Sequence, residues 1–230
     1  MNNSSIKQGI LQALPIVLGY LPLGFAFGVL ARQVGLGPVS VFVMSLFVFA
    51  GSAQFISVSM LAAGSSSMEI IAATFLVNSR HLLMSAALAQ HLHHFNKTLL
   101  AFVGFEITDE TFAVAISNYQ QQCSTPQYQL SLNLTAHTAW IVSTVMGSVV
   151  GNLIAKPEIL GLNFALPAMF IGLLFLQLKN KFTVFIAIIA GMFSVLISTL
   201  IAGNWNIIIA TTITATIGVI IEPWIIKSSY

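Results

Sequence analysis

The 230-residue chain is 57% hydrophobic and only 6% charged, with a mean hydropathy of +0.93. Soluble domains carry about 25% charged residues, so this composition excludes them and marks a multi-pass membrane protein. The net charge of +2 comes from eight basic and six acidic residues, too few for the basic stripe that nucleic acid requires, and the single Cys123 rules out an intrachain disulfide.

The N-terminal MNNSSIKQG reads as a short tail before the first span, not as a removable signal. A helix crossing about 30 Å of hydrocarbon takes roughly 20 apolar residues. Windows of that kind lie at 10–31, 39–63, 69–90, 135–155, 162–178, 182–202 and 205–226. These predict an all-α polytopic bundle of seven spans, within a range of six to eight, forming a single domain over residues 1–230.

The first window, LPIVLGYLPLGFAFG, holds Pro15, Gly19, Pro22, Gly24 and Gly28. Proline removes a helix hydrogen bond, so this span is expected to break, while Gly24 and Gly28 form a GxxxG pair suited to close helix packing. The second window carries FAGSAQF. Gly51 and Ser52 permit an unwound turn there, and Gln54 offers both a donor and an acceptor, so all three are candidate ligand contacts.

The third window contains VNSRHLL. Asn78 and His81 share a helix face and Arg80 lies beside it; an arginine in hydrocarbon is costly, so this face should look toward protein or a cavity. Arg80 would meet either a substrate carboxylate or an acid from another helix. After it comes HLHHF, with His91, His93 and His94, read as the polar exit of a span and not as a metal centre. No metal site and no cofactor are expected.

The segment 98–118 is apolar at both ends but contains Glu106, Asp109 and Glu110 along one stripe. It either lines a polar interior or stops short of crossing. Close acids resist simultaneous ionisation when buried, so Asp109 and Glu110, with His81, are candidates for proton coupling or for an ion pair with Arg80. Trp140, Trp205, Trp224 and Tyr230 read as interface anchors, although Trp140 shares its span with His137. Pro167 suggests a kink. GFAFGVLARQVGLGP at 24–38 also echoes GSVVGNLIAKPEILG at 147–161, the weak internal similarity of a repeat with broken helices around a central site. No GxxxxGK[ST] motif is present and no nucleophile pair stands out, so an enzyme is not expected.

In order along the chain stand LPIVLGYLPLGFAFGVLA, SLFVFAGSAQF, LVNSRHLLM, ITDETFA, a W-x(3)-T-x(2)-G-x(3)-G run from Trp140 to Gly151, and LNFALPAMF. Together these resemble the AzlC family, the large subunit of bacterial branched-chain amino acid exporters. The resemblance implies export of branched-chain and similar aliphatic amino acids driven by an ion gradient, with protons the expected coupling ion. It also implies a small AzlD-like membrane subunit as partner and a place in the bacterial inner membrane. A site for such a substrate needs an anion partner, a cation partner and an apolar pocket. Arg80 or helix-end amides would supply the first, Asp109 or Glu110 the second, with Gln54 and Asn78 orienting. The competing expectation is a scaffold or regulatory subunit that transports nothing itself.

Overall fold

The computed structural model describes residues 3–121, 125–154, 161–178 and 180–200, with 209, 212–218 and 220. Cys123, Lys156, Trp205, Trp224, Tyr230 and most of the last predicted span lie outside the described residues, as does part of the 147–161 echo.

The chain is all-α among these residues. Helix α1 (Asn3–Gln33) is followed by two short helices, α2 (Pro38–Phe47) and α3 (Gly51–Ala62), then by the long α4 (Ser67–Ala89). Two more short helices, α5 (Lys97–Phe105) and α6 (Asp109–Tyr119), precede the long α7 (Pro126–Val150), and α8 (Ala165–Gln177) and α9 (Lys181–Leu200) follow; residues 212–218 are helical as well. Among the described residues, four stretches are long and apolar enough to cross a membrane: Asn3–Gln33, Ser67–Ala89, Pro126–Leu153 and Lys181–Thr199.

Helices α1 and α7 run parallel and form the central pair. A Cβ on Gly28 would lie 2.0 Å from the Thr144 carbonyl oxygen, and one on Gly147 would lie 2.1 Å from that of Phe25. Only glycine lets the two backbones come so near, so the GxxxG pair serves packing. The expected break in α1 does not occur, for the helix continues through both Pro15 and Pro22. Its weakened stretch leans on α7, where the Ser143 hydroxyl donates to the Tyr20 carbonyl at 3.2 Å. Such help from a neighbouring helix is how membrane spans tolerate proline. Pro167 sits in the first turn of α8, where its missing N–H has no helical acceptor to lose.

The break lies instead in the 39–63 window, which is not one crossing. Gln54 donates to the Ser45 hydroxyl at 3.3 Å. Residues nine apart on one straight helix stand about 13 Å apart, beyond the joint reach of these two side chains. The chain must therefore reverse at Val48–Ala50. Helix α2 runs inward from the α7 C-terminal side, its Ser45 reaching Thr144 at 2.8 Å, and α3 returns the way α2 came. Segment 98–118 does the same from the other face. Glu106, at the end of α5, touches His137 in mid-α7, while Asn118, near the end of α6, accepts from Gln8 near the start of α1. Two re-entrant helical hairpins thus dip into the bundle from opposite sides, and their tips meet beside α7.

Each reversal has a local cause. At the first tip Val48 (φ −126°, ψ 72°) and Ala50 (φ −144°, ψ 79°) leave the helical conformation, and a Cβ on Gly51 would come within 2.9 Å of the Trp140 ring. At the second, Thr108 caps α6 in a reciprocal box with Thr111, and Asp109 and Glu110 occupy the first turn, where the helix dipole favours negative charge.

Candidate functional site

Around the two tips lies a cavity lined by Tyr20 and Leu23 of α1, Phe49 to Ser52 of the first tip, and Arg80 and His81 of α4. Thr108, Asp109 and Glu110 of the second tip, Trp140 of α7 and Met169 of α8 close it. The enclosed space is about 30 Å³. A single water needs roughly 10 to 15 Å³, so an aliphatic amino acid fits only if the walls part.

Arg80 dominates the polar side. Its Nη2 lies 2.8 Å from Asp109 Oδ2 and donates to the Ser52 hydroxyl at 2.7 Å. The guanidinium therefore ties α4 to both hairpin tips at once. Its Nε is buried with no hydrogen-bond partner, a donor left over on a group that binds carboxylates in forked geometry. Across the cavity the Tyr20 hydroxyl lies 2.8 Å from both Thr108 Oγ1 and Glu110 Oε2. Its single proton goes to the carboxylate.

Of the residues singled out from sequence, Gly51, Ser52, Arg80, His81, Asp109 and Glu110 come together on this cavity. Gln54 does not reach it. Fully buried behind the first tip, its amide oxygen accepts from Trp140 Nε1 at 2.7 Å while its nitrogen donates to Ser45. Asn78 faces a different cleft, with Phe75, Ser79, Leu82, Ser85 and Gly104, and its Oδ1 is buried without a partner. Trp140 is no interface anchor; only 2% exposed, it lies edge-on to Tyr20 with ring centroids 5.2 Å apart. Among the described residues no group of three His, Cys, Asp or Glu side chains could hold a metal.

Tyr20 and His137 escaped sequence reasoning as site members, and Glu106 stands out in the sequence only as one of three acids along a stripe. His137 sits between the tips: Nδ1 is 3.0 Å from Glu106 Oε1 and Nε2 is 2.9 Å from the Ser45 carbonyl oxygen. Phe49 stacks on its ring at 4.2 Å. The one available signal was the run His137, Trp140, Thr144, spaced by three and four along a single helix face.

The family model for the AzlC protein matches residues 15–154, from α1 to just past α7. Three relatives align over most of the chain. An uncharacterized membrane protein of Archaeoglobus fulgidus is 30% identical over 78% of this chain and 78% of its own length. The inner membrane protein YgaZ of Escherichia coli is 29% identical over 78% of this chain and 76% of its own. The branched-chain amino acid transport protein AzlC of Bacillus subtilis is 27% identical over 77% and 70%. No solved structure matches the chain. With both hairpin tips, most of α1 and all of α7 inside the matched region, this chain belongs to the AzlC family.

Proposed function

We propose that the chain is the large subunit of a secondary transporter that exports branched-chain or similar aliphatic amino acids across the bacterial inner membrane, driven by the proton gradient. The observation that carries this reading is Arg80, held mid-bundle against Asp109 with a buried donor to spare. A zwitterionic amino acid suits the surroundings. Its carboxylate would take the Arg80 fork beside the α3 N-terminus, where backbone N–H groups of the first turn lack helical acceptors. Its ammonium would take Asp109 or Glu110, and its side chain the wall of Leu23, Phe49, Trp140 and Met169. The name of the B. subtilis relative points the same way.

Substrate then competes with an internal ion pair. Arg80 released from Asp109 would free the two tips to separate, which links occupancy to opening. Gln54 contributes by holding Trp140, and Asn78 lines a neighbouring cleft that shares His81 with the cavity. A small AzlD-like partner would cover lipid-exposed surface such as α9, of which only 6% of the spanning window is buried.

The decisive measurement is transport of labelled leucine in inverted vesicles carrying this chain with its small partner, with and without a collapsed proton gradient. Gradient-dependent accumulation is expected, with Arg80→Lys losing most of it because lysine cannot fork. No movement of any aliphatic amino acid would overturn the reading.

A further inference from the structure

The Glu106–His137 pair lies outside the substrate cavity, yet it is the most deeply buried set of titratable groups described. Glu106 is 2% exposed and His137 5%. We propose that this pair is a proton-binding site whose single shared proton latches the two hairpin tips together, making it the coupling site of the transporter proposed above.

Hydrogen-bond bookkeeping carries the argument. The Ser45 carbonyl can only accept, so His137 Nε2 must carry hydrogen. That leaves Nδ1 facing Glu106 Oε1 at 3.0 Å. One proton between them serves in either of two arrangements: imidazolium donating to carboxylate, or carboxylic acid donating to neutral imidazole. Both contain the same number of protons and both close the contact. When that proton leaves, a nitrogen lone pair faces a carboxylate oxygen, the contact turns repulsive, and the net charge of the pair falls from zero to minus one.

The setting fits a proton site. Ser45 belongs to the last turn of α2 and Glu106 is the C-cap of α5, so His137 sits at two helix C-termini, where a proton-bearing imidazole is favoured. The Ser45 carbonyl is free to accept because the α2 ladder ends at the Val48 N–H, bonded to Met44. Glu106 Oε2 is buried with no partner, an unused acceptor through which a proton could arrive or leave. The other charged and titratable groups nearby are engaged elsewhere. Asp109 pairs with Arg80, Glu110 takes the Tyr20 hydroxyl, and His81 lines the cavity wall; Phe49 and Phe105 close the ring faces.

The test uses the full chain in lipid. In protein labelled with ¹⁵N-histidine, assigned by the signal missing from His137→Gln, Nε2 is expected to stay protonated from acid to alkaline pH while the Nδ1 resonance shifts to that of a nitrogen with neither proton nor hydrogen-bond donor as the shared proton leaves. If Nε2 titrates, or if the Nδ1 resonance never changes over the range in which transport works, the latch is wrong. Glu106→Gln donates an amide hydrogen to Nδ1 and so imitates the loaded state. It should keep leucine binding and lose export driven by a pH gradient. Loss of binding together with export would make the pair merely structural and overturn the proposal. Should the wild type move no amino acid at all, the exporter reading falls, and the histidine titration alone then decides for or against the proton site.

Discussion

Arg80 was legible because its cost is local: a guanidinium inside an apolar run demands a partner wherever the helix goes. Its partner was legible only as a set of acids, and Asp109, 29 positions away, was one of three in the stripe. Trp140 and Gln54 show the opposite case. Either side chain alone has an ordinary explanation, and only the 2.7 Å bond between them reveals a brace holding the first tip against α7. Trp140→Phe keeps an aromatic ring, though a smaller one, and removes the donor, leaving the Gln54 oxygen buried and unpaired. The expected loss is about 1 to 3 kcal/mol, read as a lower melting temperature in detergent, with Gln54→Leu in the same background recovering part of it. Gly51→Ala places a methyl within 2.9 Å of the same ring; leucine export should fall with membrane insertion intact, measured by comparing transport with protein level.

Hydropathy counts apolar length and is blind to direction, which is why 39–63 reads as a crossing. The reversal is set by tertiary partners, Ser45 with Thr144 and Gln54 with Ser45; Gly51 and Ser52 mark in the sequence that a turn is permitted there, not that the chain doubles back. The prolines of α1 misled for the matching reason, since α7 supplies the support that the isolated helix would lack. The hairpin arrangement makes a topological prediction. In a Cys123→Ser background, cysteines at Gln33 and Ala63 should label from one side of the membrane, and cysteines at His93 and Gln121 from the other. If 39–63 were a single crossing, Gln33 and Ala63 would label from opposite sides. At the α1–α7 seam Gly28→Leu forces a side chain into the Thr144 backbone, so the protein should fail to accumulate, as judged by the amount recovered in membranes.

For the molecule as a whole, one site gathers residues from five of the elements that precede α8, plus Met169 from α8 itself, and it is nearly filled. A cysteine in place of Leu23 on the cavity wall should therefore react slowly with a bulky maleimide and change its rate when leucine is added. An unchanged rate would count against opening by separation of the tips. The family and its membrane character were legible in ordered motifs and composition, because both are properties of the chain read end to end. The meeting of the tips was not, because it depends on where four short helices stop in space.

Those four ends also bear on voltage. Beside α7 the helices α3 and α6 begin while α2 and α5 finish, so two positive and two negative dipole ends share one neighbourhood, and the outgoing half-helices point toward opposite faces. The opposite ends offset one another locally, and the antiparallel helices of each hairpin oppose one another across the bilayer. The scaffold itself then adds little to the work done by a membrane potential, about 2.3 kcal/mol per charge per 100 mV. Current recorded during leucine export from proteoliposomes would count the ions travelling with each zwitterion, without a large contribution from the rocking of the protein.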